Sequence, residues 1–287
     1  MTTRDEFCKA ADGLGLFYRD YAGERPVPVL CIPGLTRNSQ DFAALAQRLS
    51  PRYRVLTPDL RGRGRSAWDP NWQNYRPRTY VADVMAVLEH AQVQRVAIVG
   101  TSLGGIIGML LGASLPQRIA GLVLNDVGPE IAPEAAARIA HYVSRRASVR
   151  NWEEAAQQAR ETYGAALPDY SDKDWLHFAH RSYREDGTGA PVLDMDPGIG
   201  EAVRAAAATG PAPTMWPVWA ALQSIPTLVI RGEHSDVLSI DILHRMATSS
   251  PGVRTLTVPQ RGHAPTLDEP VCVDAIEQFM ECLPENP

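Results

Sequence analysis

The sequence predicts an α/β protein: a mainly parallel central sheet with helices on both faces and a helical cap insertion. Three observations carry this. Short β-branched runs recur along the chain and each stops at a turn: 28–32 (PVLCI) at Pro33-Gly34, 54–57 (RVLT) at Pro58-Asp59, and 96–99 (VAIV) at Gly100. The series continues with 119–124 before Asn125-Asp126, 227–230 (TLVI) before Arg231-Gly232, and 253–258 before Pro259. Runs this apolar are buried on both faces, which is the habit of parallel strands under helices. Helical patterns at 40–49, 102–114 and 271–283 alternate with them, as crossover connections require.

The third observation is the stretch 129–217, alanine-rich, helical in period and without a convincing buried strand. It is too long for a simple crossover. We read it as the cap, with 1–128 and 218–287 forming the sheet domain and Pro211, Pro213 and Pro217 marking the return. Four of the six tryptophans, Trp152, Trp175, Trp216 and Trp219, fall in or at the edge of this insertion.

Composition excludes several classes. The 287 residues are 45% apolar and 21% charged, enough for a self-supporting core. The formal net charge is -5 and no basic block tracks phosphates, so nucleic acid is not an expected partner. No run of about 18 apolar residues is present to span a bilayer, and Arg4, Asp5, Glu6 and Lys9 precede any apolar run, against a signal peptide. Cys8, Cys31, Cys272 and Cys282 lack metal-ligand spacing. The expectation is a cytoplasmic protein with no membrane partner. The basic residues are arginine apart from Lys9 and Lys173, which fits a GC-rich bacterial source.

The strongest motif is Gly100-Thr101-Ser102-Leu103-Gly104, directly after a β-branched run and opening a small-residue helix. A serine on such a sharp turn stands above the carboxyl edge of the sheet, where open α/β folds bind ligands. It also sits at a helix N-terminus, whose free N–H groups favour developing negative charge. Small neighbours at Gly100, Gly104 and Gly105 let strand and helix approach. The competing reading is a plain N-cap serine.

With IPGLTRN (32–38), PDLRGRGRS (58–66), GTSLGG (100–105), RGEHSD (231–236) and RGHAPTLDEP (261–270), the chain resembles the α/β-hydrolase superfamily over almost its whole length. In style it is similar to bacterial enol-lactonases and ring-cleavage-product hydrolases. A serine at 102 departs from the epoxide hydrolases and haloalkane dehalogenases, which carry aspartate there. Ala264 stands where ring-cleavage carbon–carbon hydrolases often have tryptophan.

The resemblance implies Ser102 as nucleophile, followed in chain order by an acid and a histidine. His263, in the loop after the last strand, is the expected base, with His234 its competitor. Asp236 is the expected acid; Asp126 and Glu233 are the alternatives, Asp126 otherwise being a turn residue before Gly128-Pro129. The oxyanion hole is expected from the N–H groups of Leu103 and Leu35. Pro33 replaces a histidine that many relatives have beside that loop. Asp59, Arg61, Arg63 and Ser66 are expected to shape a turn and its ion pairs. Arg37 is a candidate for a substrate carboxylate, although an exposed arginine is the plainer expectation. Trp216 is a candidate pocket residue, although the cap tryptophans are expected mostly to form the cap's own core.

The expected reaction is hydrolysis of a small carboxylic ester or lactone through an acyl-enzyme, with no metal or organic cofactor. Carbon–carbon hydrolysis of a vinylogous diketone acid is the alternative within enzymes. A binding protein on a hydrolase scaffold is the alternative outside them.

Overall fold

A computed structural model describes residues 3–144, 148–210 and 212–284. All six expected strands are present: β3 (Arg25–Ile32), β4 (Tyr53–Asp59), β5 (Val96–Thr101), β6 (Ile119–Asn125), β9 (Thr227–Gly232) and β10 (Val253–Val258). Two more precede them, β1 (Thr3–Lys9) and β2 (Gly15–Tyr21), an antiparallel pair that joins β4 antiparallel. The eight strands run β1-β2-β4-β3-β5-β6-β9-β10 across the sheet, parallel from β4 to β10.

Alternate side chains on these strands face two separate apolar layers, because successive residues of a strand point to opposite faces. Val29, Val55, Ala97, Val99 and Val123 pack under α1 (Ala43–Leu49) and α10 (Pro270–Glu281). Leu30, Leu56, Ile98, Leu122 and Leu124 pack on the other side with α2 (Pro77–His90), α3 (Leu103–Ser114) and α9 (Ile240–Ser249). No helix among the described residues is long and apolar enough to cross a membrane. The four cysteines are unpaired.

Between β6 and β9 the chain forms α4 (Pro133–Val143), α5 (Trp152–Tyr163), α6 (Asp172–Ser182), α7 (Gly198–Ala208) and the short α8 (Trp216–Ala220). A two-stranded ribbon, β7 (Tyr183–Glu185) and β8 (Pro191–Leu193), interrupts this helical excursion, which the sequence pattern did not show. The excursion leaves and returns at one point, where the Met215 N–H donates to the Pro129 carbonyl at 2.8 Å. Pro213 and Pro217 flank that point, while Pro211 lies outside the described residues.

The turn motif of 58–66 is a buried polar bracket. The Asp59 carboxylate accepts from the Ser39 and Arg65 N–H groups at 2.7 and 2.8 Å. Arg61, 1% exposed, pairs bidentately with Asp83 at 2.6 Å and with Asp69 at 2.6 Å.

The approach of α3 to the sheet rests on small residues. A Cβ on Gly104 would lie 2.0 Å from the Ile32 carbonyl oxygen, whereas one on Gly187, in the ribbon turn, would meet nothing within 4 Å. Gly104→Ala is therefore expected to cost several kcal/mol or to prevent folding, beyond the ~1–3 kcal/mol typical of overpacking, because backbone cannot rotate aside. Gly187→Ala is expected to change stability by less than about 0.5 kcal/mol. Denaturant unfolding of the two variants measures the contrast; equal stabilities would contradict this packing.

Candidate active site

Strand register places the site. Ile32 lies opposite Gly100, Thr101 opposite Asn125, and Asn125 opposite Ile230. The carboxyl ends of four neighbouring strands are thus level, and the loops after β3, β5, β6, β9 and β10 emerge over the same edge.

Ser102 occupies the turn between β5 and α3 with φ +51° and ψ −111°. A non-glycine residue in such a conformation stores about 1–3 kcal/mol of strain. The surroundings hold it there: Ser102 N–H donates to the Asn125 carbonyl at 3.0 Å, and its own carbonyl accepts from Ile106 N–H at 3.1 Å. A Cβ on Gly100 would lie 2.4 Å from the Gly104 carbonyl carbon, and one on Gly105 would lie 2.4 Å from Val127 Cγ1. Ser102 holds the N-cap position, yet its hydroxyl makes no capping bond. It stands instead 3.0 Å from His263 Nε2.

His263 Nδ1 is 2.7 Å from Asp126 Oδ2. The expected acid, Asp236, is not there: its carboxylate is half-exposed and pairs with Arg138 of α4 at 2.7 and 2.8 Å. The cause is the fold of the loop after β9. The Arg231 guanidinium donates back to the Leu238 and Glu233 carbonyls at 2.7 and 3.1 Å, curling the loop around itself. That curl turns Ser235 inward and Asp236 outward. Glu233 is also diverted, accepting from the Gln260 N–H at 2.9 Å, and His234 is exposed.

Asp126, the alternative, follows β6, the strand next to the one that carries Ser102. It is wholly buried with φ +57°. Its Oδ1 accepts from Gly232 N–H at 2.9 Å and its Oδ2 from Ser235 Oγ–H at 2.6 Å. A carboxylate only accepts, so Nδ1 carries the imidazole proton and Nε2 is left as acceptor for the Ser102 hydroxyl.

The His263 loop is tied down on both sides. Asn125 Nδ2 donates to the Pro265 carbonyl at 2.8 Å, and Gly262 N–H donates to the Ala166 carbonyl of the excursion at 2.9 Å. Arg261 adds ion pairs to Asp169 and Glu269, both at 2.8 Å.

The expected oxyanion donors flank the serine. Leu103 is the first residue of α3, so its N–H has no partner within the helix. Leu35 follows Gly34, whose ideal Cβ position lies 3.9 Å from the Ser102 Cβ. The Leu35 carbonyl accepts from Arg63 Nε at 2.7 Å, and Arg63 is fully buried. Arg63 thus does more than shape its own turn: it holds the Leu35–Thr36 peptide, next to the one that carries the Leu35 N–H. Its sequence signal was only a second arginine in RGRG.

Ser102, Leu103, Leu35 and His263 line a cavity of about 210 Å³ that the excursion roofs with Ile139, Tyr142, Tyr163 and Phe178. Burial pushes the Tyr142 phenol far up, so it stays protonated. Arg37 also lines the cavity, but it is not the exposed arginine expected. It bonds to Asp41 in bidentate fashion and to Ser182 Oγ, and its guanidinium lies 4.1 Å from the Phe178 ring centroid. Burial alone lowers the pKa of such a group, but Asp41 outweighs it and holds Arg37 charged. Trp216 is not among the cavity residues; it packs on the sheet-side core beneath Arg245, 3.8 Å from ring centroid to guanidinium. Trp152 stacks on His180, and Trp175 packs with Tyr170 and Phe178, so these two build the excursion's own core. Among the described residues no His, Cys, Asp and Glu group is arranged to hold a metal ion.

Residues 27–270 match the family described as alpha/beta hydrolase fold. The chain is 32% identical to a 3-hydroxybutyrate-oligomer hydrolase of Cupriavidus necator, over 88% of each chain. It is 26% identical to a 2-(acetamidomethylene)succinate hydrolase of Mesorhizobium japonicum, over 88% of this chain and 87% of that one. A crystal structure of an alpha/beta hydrolase from Novosphingobium aromaticivorans superposes with a TM-score of 0.92 at 43% identity, covering 97% of this chain and 98% of the other. With this sheet order and this serine turn, the chain belongs to the α/β-hydrolase fold family and is a hydrolase.

Proposed function

We propose that the protein is a serine hydrolase that cleaves a small carboxylic ester or lactone through an acyl-enzyme. The observation that carries this is the hydrogen-bonded series Ser102 Oγ, His263 Nε2, His263 Nδ1 and Asp126 Oδ2, at 3.0 and 2.7 Å, opening on a cavity.

Ser102 Oγ attacks the ester carbonyl carbon while its proton passes to His263 Nε2. Asp126 orients the imidazole and stabilises the imidazolium without taking the proton. The N–H groups of Leu35 and Leu103 hold the alkoxide of the tetrahedral intermediate, a role worth roughly 3–4 kcal/mol per donor. Collapse breaks the C–O bond to the leaving alcohol, which takes the proton from His263. A water then gives its proton to Nε2 and adds to the acyl carbon; the C–Oγ bond breaks as Ser102 Oγ takes the proton back from Nε2, releasing the carboxylic acid and free Ser102. The chemistry draws on no metal or organic cofactor.

An ester is favoured because oligomers of a hydroxy acid, the substrate named for the Cupriavidus relative, are joined by ester bonds. We further propose that the insertion 129–217 acts as a cap that selects the acyl group. Tyr142, Tyr163 and Phe178 stand over the serine from its helices.

A fluorophosphonate probe, followed by mass spectrometry, tests the nucleophile. Wild type is expected to carry the label on Ser102, and Ser102→Ala to carry none. Turnover of short-chain 4-nitrophenyl esters should fall on the order of a millionfold in Ser102→Ala, as when a serine nucleophile is deleted elsewhere. Equal labelling of the two proteins, with ester turnover unchanged, would exclude Ser102 as the nucleophile; neither labelling nor turnover in wild type would leave a binding scaffold.

A further inference from the structure

The cavity over Ser102 has two arginines in its wall, and they differ in one respect. Arg37 is neutralised by Asp41 and anchored to Ser182. Arg181, in the last turn of α6, has no such partner among the described residues. Its backbone is fixed, since its carbonyl accepts from Asn38 Nδ2 at 3.0 Å. Its Nε is buried and donates to nothing among the described residues.

The carboxylates that share a surface depression with it are engaged elsewhere. Arg181 also borders a surface depression with Asp169, Asp174 and Asp268. Asp169 pairs with Arg261 at 2.8 Å, Asp174 closes the capping box with Ser171, and Asp268 accepts from Thr266 Oγ1. An arginine carries five donors in a planar fork and stays charged, so leaving one buried donor unpaired costs free energy until an acceptor arrives. A carboxylate is the acceptor whose geometry matches that fork.

The geometry points to Arg181 as an anion subsite of the Ser102 cavity, selecting esters whose acyl chain ends in a second, free carboxylate. This rests on the ester-hydrolase reading and narrows it to monoanionic substrates. Such a substrate places its scissile carbonyl at Ser102 and its carboxylate at Arg181, across an apolar span lined by Tyr142, Tyr163 and Phe178.

The test uses the monomethyl esters of the linear diacids from succinic to suberic acid, each against the dimethyl ester of the same diacid. The scissile bond and acyl chain are then identical and only the distant charge differs. Wild type is expected to favour the monoester, at one or more chain lengths, by about ten- to a hundredfold in kcat/KM per ester group, carried mainly by KM. Arg181→Gln should erase that preference, keep wild-type turnover of the dimethyl esters and keep fluorophosphonate labelling of Ser102. Arg181→Lys should retain part of it, because it restores charge without the fork. An undiminished preference in Arg181→Gln, or no preference at any length in a wild-type enzyme that labels at Ser102, overturns the subsite and leaves the serine-hydrolase reading intact. Absence of both labelling and ester turnover in wild type overturns that reading, and the subsite with it.

Discussion

The Asp126 carboxylate is the point on which the site hangs. It is wholly buried at the end of β6 and takes three hydrogen bonds: from Gly232 at the end of β9, from Ser235 in the loop beyond it, and from His263 in the loop after β10. A buried charge is tolerated only when its lone pairs are satisfied, and removing a partner from such a group typically costs about 3–5 kcal/mol. The chain's solution joins three segments that are far apart in sequence. The same bonds that keep the carboxylate in the interior fix the rim of the sheet and present His263 Nε2 to Ser102. Stability and site geometry are here one set of contacts.

Against this anchor the serine is held by packing. Ser102 keeps a strained backbone because Gly100, Gly104 and Gly105 bring α3 to within backbone contact of β3 and β5. Any side chain at Gly100 or Gly104 would collide with main chain. The strain lifts the hydroxyl clear of the helix it begins, which is why it serves His263 and caps nothing. Arg63 continues this logic on the opposite wall by gripping the Leu35 carbonyl. Each group placed around Ser102 is therefore positioned by a residue that never touches the cavity's contents.

The sheet was legible in the sequence because strands buried on both faces have to be continuously apolar, and 96–99, 119–124 and 227–230 are. β1 was not, because TRDEFCK is an edge strand whose charges face solvent and whose Phe7 is 56% exposed. Ser102 and His263 were readable from local turns. The carboxylate that meets His263 was not, because Asp126 and Asp236 both follow strands, and the choice depends on how Arg231 curls the loop after β9. Ser235 was hidden for the same reason. Arg37, Arg63 and Arg181 are one residue type in three settings: Asp41 pairs with the first, the Leu35 carbonyl accepts from the second, and the buried Nε of the third meets no acceptor among the described residues. Sequence carries the residue type; only the fold supplies its partner.

The identity of the acid is the most direct measure of this arrangement. Acetylation of Ser102 by 4-nitrophenyl acetate, followed in a single turnover by quenched-flow mass spectrometry, reads the step in which, on the proposed mechanism, His263 takes the serine proton. Asp126→Asn is expected to slow that step by roughly 10⁴-fold, since the amide favours the wrong imidazole tautomer. Asp236→Asn, which only loosens a surface pair with Arg138, is expected to acetylate at the wild-type rate. A slow Asp236→Asn beside a fast Asp126→Asn would contradict the account.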